Sequence, residues 1–471
     1  MSKMIPVHTA ELHEPAHPQK MRAKPGDTLI HTRSFTGLFR NLRVAGAGFL
    51  FLMFFATAWL NWGGRQAVLW DLADSRFHIF GATFWPQDFI LLSALLIICA
   101  FGLFAVTVFA GRVWCGYTCP QSTFTWLFMW AEKVTEGERN QRIRLHAAPW
   151  SLNKLVRRSA KHTLWLAISL LTGLTFVGYF TPIRPLTQEL LTWQIGGVSL
   201  FWVLFFTAAT YLNAGWLREA VCMHMCPYAR FQSVMFDKDT LTISYDTARG
   251  EHRGPRKREA KPASEGLGDC IDCQMCVQVC PTGIDIRDGL QMACIGCAAC
   301  VDACDSIMDK MAYRRGLVRY TSEHQLQGGK THLLRPRLIG YSAVLLVMIA
   351  ALVVALVQRP MVSLDVTKDR GMFRENSAGQ IENIYSLKVI NKTQQHRHYA
   401  VELVDADGFR LQGRTDISLA PGEISDVPVS VAMTTQRPAS SSQTLRFKVT
   451  DMNEPAHYSV ADSRFVAPLN H

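Results

Sequence analysis

Two short stretches of the chain carry eight cysteines at a spacing that suits iron–sulfur clusters. Residues 270–281 read CIDCQMCVQVCP and residues 294–304 read CIGCAACVDAC, so both contain C-x2-C-x2-C-x3-C. Three closely spaced cysteines can hold three corners of one cubane, while the fourth, beyond a wider gap, reaches the other cubane. The spacing predicts one [4Fe–4S] cluster on Cys270, Cys273, Cys276 and Cys304, and a second on Cys294, Cys297, Cys300 and Cys280.

Structural zinc sites are the alternative for these cysteines. Zinc modules usually pair C-x2-C units across a longer spacer, so two consecutive four-cysteine runs fit iron–sulfur better. Cys304 is followed by Asp305 instead of proline, which departs from the common pattern and leaves the assignment intact. Two clusters that share their ligand runs pass single electrons, so the block is interpreted as an electron relay that needs a donor and an acceptor.

A second kind of motif, C-x3-C-P, occurs twice. It reads CGYTCP at residues 115–120 and CMHMCP at residues 222–227. Residues four apart share a helical face, but the residue before proline is biased out of the α conformation. We therefore expect a helix break at each second cysteine, with Pro120 or Pro227 in the first turn of a new helix. The helix dipole would favour a thiolate there.

Thiolate and thioether ligands select Cu(I), zinc or iron–sulfur centres. The predicted reactive or copper-binding thiols are Cys115, Cys119, Cys222 and Cys226. Met223, His224 and Met225 lie within the second motif and favour copper as the metal that it binds. Two alternatives remain open: these three side chains serve only packing or the surface, and the four thiols hold one further iron–sulfur centre.

Five apolar blocks are long enough to cross a bilayer, which takes about 20 residues. They are Val44–Trp62, Phe89–Phe109, Thr163–Phe180, Ile195–Trp216 and Leu338–Val357. The segments 63–88 and 181–194 contain few basic residues, whereas 111–162 and 217–337 are rich in them. The positive-inside rule therefore places the N-terminus and both cysteine-bearing segments in the cytoplasm, and the C-terminus in the periplasm. This also accounts for the net charge of +11 without nucleic-acid binding.

The last part of the chain changes to a two-residue period. YSLKV (385–389), YAVELV (399–404), VPVSV (427–431) and LRFKV (445–449) alternate apolar and polar residues. Such short strands separated by turns predict a β-sandwich. The fold class is thus a multi-domain integral membrane protein with five transmembrane α-helices, a bacterial dicluster ferredoxin-like α+β insert and a C-terminal immunoglobulin-like β-sandwich.

The domain boundaries follow from these patterns. We expect a disordered cytoplasmic arm (1–43), a four-helix membrane region with both C-x3-C-P motifs (44–245), a linker (246–269), a dicluster ferredoxin domain (270–320), a fifth transmembrane helix (338–357) and a periplasmic domain (361–471).

Both C-x3-C-P motifs, the dicluster block and the C-terminal β-domain, in this order, resemble the CcoG family, also called FixG or RdxA. These are polyferredoxin-type membrane accessory proteins of cbb(3)-type cytochrome c oxidase. The membrane half is also similar to NapH- and NosR-type electron-transfer proteins. The resemblance implies a bacterial inner-membrane protein that reduces Cu(II) to Cu(I) at the four C-x3-C-P thiols. It also implies an immunoglobulin-like C-terminal domain.

The implied partners are membrane lipid, a cytoplasmic electron donor, a copper chaperone or copper-exporting ATPase, oxidase assembly proteins and a second copy of the chain. Copper is the implied substrate or transient ligand. Two other functions stay open. One is a NapH-like electron-transfer component acting on a quinone or a partner's cofactor, and the other is a non-enzymatic copper-handling assembly factor.

Overall fold

The computed structural model describes residues 30–257, 266–371, 373–376, 379–434 and 441–468, apart from the side chain of Ser233. Its α-helices are α1 (Leu38–Thr57), α2 (Phe89–Ala110), α3 (Val113–Tyr117), α4 (Pro120–Glu136), α5 (Arg139–Ala147), α6 (Leu152–Val177), α7 (Ile183–Leu191), α8 (Gly197–Thr210), α9 (Pro227–Met235), α10 (Thr247–Gly250), α11 (Met275–Gln278), α12 (Ala299–Met311), α13 (Glu323–Leu326) and α14 (Pro336–Val357). Tyr211–Leu217 and Val221–Met225 are π-helical, and Pro86–Asp88 and Ile286–Asp288 are 3-10 turns.

The strands lie in five antiparallel sheets. They are β1 (Asn61–Trp62), β2 (Arg65–Gln66), β3 (Val68–Asp71), β4 (Arg76–Ile79), β5 (Ala82–Phe84), β6 (Thr242–Tyr245), β7 (Val318–Thr321), β8 (Val362–Lys368), β9 (Arg374–Glu375), β10 (Ile381–Asn391), β11 (Arg397–Val404), β12 (Phe409–Gly413), β13 (Asp416–Leu419), β14 (Ile424–Met433), β15 (Ser442–Asp451) and β16 (Tyr458–Val466). The sheet orders are β1-β2, β3-β4-β5, β6-β7, β12-β14-β10-β8 with β9 beside β10, and β13-β11-β15-β16.

Within the described residues, five helical segments are long and apolar enough to span a membrane, as the sequence predicts. They are Leu38–Thr57, Pro86–Ala110, Leu152–Val177, Gly197–Leu217 and Pro336–Val357. Most of their apolar side chains face outward, and none of the residues of α14 is buried. In a soluble protein such faces would be exposed to water, so this arrangement fits a lipid environment.

The third span begins at Leu152, well before the predicted Thr163. The predicted block covers only the apolar part of this helix, because the first half of the helix is basic. Lys161 pairs with Glu136 at 2.9 Å, and the ammonium of Lys154 donates to the carbonyl oxygen of His146 at 3.1 Å. Glu136 neutralises Lys161 and a carbonyl oxygen accepts from Lys154, so both buried ammonium groups have partners and the helix continues through a segment that sequence hydropathy excludes.

The predicted disordered arm 1–43 is partly wrong. Residues 1–29 lie outside the described part of the chain, but α1 already begins at Leu38 and Arg43 is buried. Residues 30–37 are held by hydrogen bonds. The backbone N–H of Arg33 donates to the carbonyl of Gln278 at 2.8 Å, and the Arg142 guanidinium donates to the carbonyl of Thr32 at 2.6 Å.

The predicted boundaries of the linker and of the ferredoxin domain also differ from those in the structure. Residues 258–265 of the linker lie outside the described residues, and α10 occupies part of the remainder. β6 pairs with β7, with Thr242 opposite Thr321 and Tyr245 opposite Val318. Because β7 follows the cysteine block, the ferredoxin-like module includes a strand that precedes the predicted start at residue 270.

The chain divides into two compact units. The first, called here the membrane–ferredoxin unit, comprises residues 1–57, 97–178 and 183–346. Within it, Phe128 of α4 packs on Trp165 of α6 with ring centroids 5.3 Å apart, and the indole N–H of Trp165 donates to the Phe128 carbonyl. α6 and α8 approach closely at Gly173, where a methyl group would lie 2.8 Å from the Val203 carbonyl oxygen. These contacts pack α6 against α8 and against α4, the helix that begins at the first C-x3-C-P motif.

The second, called here the sandwich unit, comprises residues 58–96, 179–182 and 347–471. All four predicted strands are present, in β10, β11, β14 and β15, and their inward side chains form one core that includes Tyr385 and Phe447. Asp88 is bound by Arg359 at 2.5 Å and by Lys392 at 3.2 Å. This triad joins the N-terminal end of the second span to the base of the sandwich.

Candidate metal centre

The two four-cysteine runs adopt the same local fold. α11 begins after Gln274 and α12 begins after Ala298, and both of these residues are left-handed, with φ of 55° and 56°. Each lies between the second and third cysteine of its run. This conformation is costly for a residue with a side chain, so its repetition indicates that both cysteine loops have the same shape.

The fold brings the eight cysteines together around α11 and α12, and four of them, Cys270, Cys273, Cys276 and Cys304, line one small cavity. Burial, with smaller contributions from the thiols of Cys276, Cys270 and Cys273, raises the pKa of Cys304 to about 12. Burial likewise raises the pKa of Cys300, with smaller contributions from Cys297, Cys294, Cys280 and Cys276. Because these thiols are protonated when metal-free, binding a metal requires the release of protons.

The donor sets fit cubane clusters better than single metal ions. Each group supplies four sulfur atoms, which suits [4Fe–4S]. A single zinc ion would draw its ligand atoms close together. Among the described residues, no three cysteine sulfur atoms lie within 4.8 Å of one another, so neither group has the geometry of a zinc site.

The C-x3-C-P motifs have the predicted helix breaks. Cys119 immediately precedes α4 with ψ of 126°, and Cys226 immediately precedes α9 with ψ of 110°, so both are extended. Each proline occupies the first turn of the helix that follows, where its missing N–H costs nothing. Cys222 lies in a π-helical turn, a geometry that is rare and often found at functional sites.

The two motifs meet although they are more than 100 residues apart in sequence. The Cys115 thiol lies 3.6 Å from the side-chain oxygen of Gln232, a fully buried residue of α9. Burial raises the pKa of Cys115 to about 12, with a contribution from Cys119 and a smaller one from Cys222. Burial also raises the pKa of Cys222 to about 11, and Cys119 and Cys226 add to it. The thiols of the two motifs are therefore close enough to influence one another's pKa values.

The first C-x3-C-P motif packs directly on a cysteine loop of the ferredoxin-like module. A methyl group on Gly116 would lie 2.8 Å from the Cα atom of Cys297 and 2.9 Å from the carbonyl oxygen of Gly296. Cys115 also packs against the cluster of buried side chains that contains Cys297. Only glycine allows this approach, so the backbone of CGYTCP and that of the second cysteine run are in contact.

Arg112, which lies just before the first C-x3-C-P motif, connects this motif to α9 and to the second cysteine run. Its buried guanidinium donates to the carbonyl oxygens of Ala229 in α9 and Met292 beside the second cysteine run. Its positive charge lowers the pKa values of Cys115, Cys222 and Cys294, against the larger effect of burial. No local sequence pattern marks Arg112 as part of the site, because its contacts depend on distant segments.

Asp302 anchors the module to the first membrane helix. Its carboxylate accepts the backbone N–H of Phe39 at 3.2 Å and of Arg40 at 2.7 Å, in the first turn of α1. A carboxylate at a helix N-terminus satisfies free N–H groups and complements the helix dipole. Asp302 lies between Cys300 and Cys304 on α12, so the helix that carries these cysteines also holds α1.

Met223, His224 and Met225 lie on the exposed side of their π-helical turn, with Met225 at 65% exposure. The thiols of Cys222 and Cys226 are half-buried instead. The structure does not bring these three side chains into a closed site with the thiols, and their role as copper ligands stays a prediction.

Three protein-family models match the chain. Residues 217–323 match a "4Fe-4S dicluster domain", residues 92–134 match a "4Fe-4S binding domain", and residues 352–468 match an "IG-like fold at C-terminal of FixG, putative oxidoreductase". The first match covers all eight ferredoxin cysteines, and the second covers Cys115 and Cys119. These matches support two iron–sulfur clusters and an immunoglobulin-like C-terminal domain in this chain.

Relatives of known name cover most of the chain. Protein RdxA of Cereibacter sphaeroides is 38% identical over 86% of this chain and 87% of its own length. Nitrogen fixation protein FixG of Rhizobium meliloti is 36% identical over 81% of this chain and 82% of its own length. A crystal structure of a FixG-related protein from Vibrio parahaemolyticus is 31% identical, with a TM-score of 0.22, and covers 23% of this chain and 98% of that one.

Proposed function

The chain belongs to the family of RdxA and FixG, and we propose that this multi-pass membrane iron–sulfur protein reduces Cu(II) to Cu(I) for assembly of a cbb(3)-type cytochrome c oxidase. One observation carries the proposal: at Gly116, the backbone of the CGYTCP motif contacts the loop of the second cysteine run at Gly296 and Cys297. A group of soft-metal ligands thus lies against the electron-transfer module.

In this proposal the two groups of four cysteines hold the two resident clusters. Cys270, Cys273, Cys276 and Cys304 hold one, and Cys280, Cys294, Cys297 and Cys300 hold the other. When bound, such clusters supply single-electron transfer. The chain's own contribution is to bury these thiols, to shape both loops alike and to hold the second loop against Gly116 and Arg112.

Copper is the substrate at Cys115, Cys119, Cys222 and Cys226. Cu(II) bound there gains one electron and becomes Cu(I), while the cytoplasmic donor supplies that electron and is oxidised. Thiolates bind Cu(I) better than Cu(II), so these ligands favour the reduced ion. The Arg112 guanidinium offsets part of the negative charge that deprotonated thiols would place there.

The orientation of the protein in the membrane is proposed from the distribution of basic residues along the chain and from the division of the chain into two units. The sandwich unit contains residues 63–88 and the C-terminal domain, which the positive-inside rule places outside, while most of the short segment 181–194 belongs to the membrane–ferredoxin unit. We therefore assign the membrane–ferredoxin unit's cysteines to the cytoplasmic face of a bacterial inner membrane and the sandwich to the periplasm. A copper chaperone or exporter would accept Cu(I) from the cytoplasmic face.

The decisive experiment replaces Cys222 and Cys226 with serine in the full chain. We expect Cu(II) reduction by the dithionite-reduced protein to fall to the background rate, because the thiol group loses half of its ligands. The visible absorbance of both clusters stays unchanged. Cys99→Ser is the matched control, since Cys99 lies exposed within α2, and it keeps full activity. Undiminished reduction by the double variant overturns the proposal.

A second function has two observations in its favour. The four C-x3-C-P thiols are not drawn together as ligands of one ion would be, and the "4Fe-4S binding domain" match includes Cys115 and Cys119. These four cysteines would then hold a further iron–sulfur centre, and the protein would pass electrons to a quinone or a partner's cofactor. Anaerobic iron analysis separates the two, since two clusters give about eight iron atoms per chain and three give about twelve.

A further inference from the structure

Three side chains outside the cysteine centres come together at the base of the last membrane helix. The ring nitrogen Nδ1 of His324 lies 2.8 Å from Asp239 Oδ1, and Nδ1 of His332 lies 3.4 Å from the same oxygen. The three ligand atoms lie within 4.8 Å of one another, and no other group of three in the described residues does so. The 2.8 Å contact is a hydrogen bond between His324 and Asp239, and the spacing of the three atoms also suits ligands that share one metal ion.

The backbone holds these residues in place. Asp239 precedes β6 and His324 follows β7, and the pairing of Thr242 with Thr321 brings the two segments together. The N–H of His324 donates to the carbonyl of Lys238 at 3.2 Å. The N–H of His332 donates to Asp239 Oδ1 at 3.0 Å, which fixes the second histidine beside the carboxylate.

The loop between the two histidines is closed as well. The hydroxyl groups of Ser322 and Thr331 are 2.7 Å apart, and Ser322 is fully buried and caps α13. The hydrogen bond between these two hydroxyl groups closes the loop that joins His324 to His332 and keeps the two histidines near each other. The site is partly accessible: the Asp239 side chain is 13% exposed, whereas that of His332 is 68% exposed.

The donor chemistry selects a divalent transition metal. Two imidazole nitrogens and a carboxylate oxygen bind Cu(II), Ni(II) or Zn(II), and among these the Irving–Williams order favours Cu(II). A soft Cu(I) ion would prefer the thiols of the C-x3-C-P group. The chain thus contains, in one unit, a nitrogen and oxygen site suited to the oxidised ion and a sulfur site suited to the reduced ion.

We propose that Asp239, His324 and His332 bind Cu(II) and serve as the docking site of the substrate before it reaches the thiols. This inference rests on the proposed copper reduction for its role in the reaction. The binding of Cu(II) itself stands on the geometry alone. The site lies in the segments that flank β6 and β7, on the same unit as the cysteine centres.

The test is a Cu(II) titration of the full-length protein followed by electron paramagnetic resonance. The four C-x3-C-P cysteines are replaced by serine so that added Cu(II) is not reduced, and the clusters are kept oxidised. In this background we compare His324→Ala/His332→Ala with His396→Ala/His398→Ala. The control pair lies on the sandwich, where its two rings are 5.4 Å apart.

We expect the His324/His332 variant to lose about one equivalent of bound Cu(II) and its nitrogen hyperfine pattern, because both imidazole ligands are gone. The control variant keeps that equivalent. Retention of the equivalent with an unchanged spectrum in the His324/His332 variant overturns the site. Asp239→Asn keeps the hydrogen-bond acceptor but removes the charge, so weaker Cu(II) binding in this variant separates metal ligation from a purely structural role.

A reduction assay with all cysteines present tests the role of the site separately. We expect the His324/His332 variant to show a raised KM for Cu(II) with an unchanged kcat, since the thiols remain intact. An unchanged KM overturns the docking role. If the wild-type chain fails to reduce Cu(II) yet shows the histidine-dependent equivalent, the proposed function falls and the metal site stands.

Discussion

At the residue scale, the contact between the first C-x3-C-P motif and the second cysteine run depends on the absence of a side chain at Gly116. Gly116 has no side chain, and the space that a methyl group would fill is occupied by the backbone of Gly296 and Cys297. Backbone atoms cannot move aside as a flexible side chain can. Any larger residue at position 116 must therefore separate the C-x3-C-P motif from the cysteine loop.

Replacing Gly116 with alanine tests this contact. We expect a loss of about 1–3 kcal/mol in the free energy of unfolding, typical of overpacking, together with slower Cu(II) reduction. Gly48→Ala in α1 is the control, because no atom lies within 4 Å of the methyl group that it would add. Thermal unfolding followed by cluster absorbance and a copper-reduction assay measure both effects. Wild-type activity in Gly116→Ala would show that the close approach is not needed.

Sequence patterns predicted the cysteines of the centre but not the residues that support them. The eight ferredoxin cysteines and the two C-x3-C-P pairs are recognisable from local spacing. Arg112, Gln232 and Asp302 have no such signal, because each acts through a contact with a segment far away in the sequence. Asp239 and the two histidines were missed for the same reason, since the pairing of β6 and β7 is what joins them.

At the element scale, a buried carboxylate joins three helical segments of the membrane–ferredoxin unit. Glu132 of α4 is only 1% exposed and contacts Arg142 of α5 at 2.9 Å and Arg218, which follows the π-helical turn, at 2.5 Å. The turn ends at Leu217, and Arg218 caps it just before the second C-x3-C-P motif. Glu132 therefore sets the position of that motif relative to α4, which begins at the first motif.

Glu132→Gln leaves two buried guanidinium groups without a counter-charge. Breaking a buried ion pair on one side typically costs about 3–5 kcal/mol, so we expect a markedly lower Tm for the detergent-solubilised protein. Asp309→Asn is the control, because its pair with Arg315 is exposed and such pairs contribute little. Equal Tm values for the two variants would contradict this role of Glu132.

At the scale of the whole molecule, sequence hydropathy and charge predicted the five spans and the sandwich, while the smaller elements were missed. Long apolar runs and two-residue alternation are strong local signals. The sheet β3-β4-β5 was not predicted, because its strands have only three or four residues each. The basic start of α6 was missed because its charges are neutralised by partners elsewhere in the chain.

The proposed orientation makes a prediction for reporter fusions. Alkaline phosphatase fused after His471 is expected to be active, because the enzyme folds only outside the cytoplasm. The same reporter fused after Lys330, before α14, is expected to be inactive, and a green fluorescent protein fused there is expected to fluoresce. The reverse pattern would place the cysteine centres outside the cell and rule out cytoplasmic copper reduction.

The contact between Asp302 and α1 has a consequence for synthesis on the ribosome. Phe39 and Arg40 are translated more than 260 residues before the carboxylate that caps their N–H groups. The first span is therefore synthesised before its cap, which cannot form until Asp302 has been translated. Seven of the eight predicted cluster ligands precede Asp302 in the chain, so docking of the first helix on this carboxylate awaits synthesis of almost the whole cysteine block.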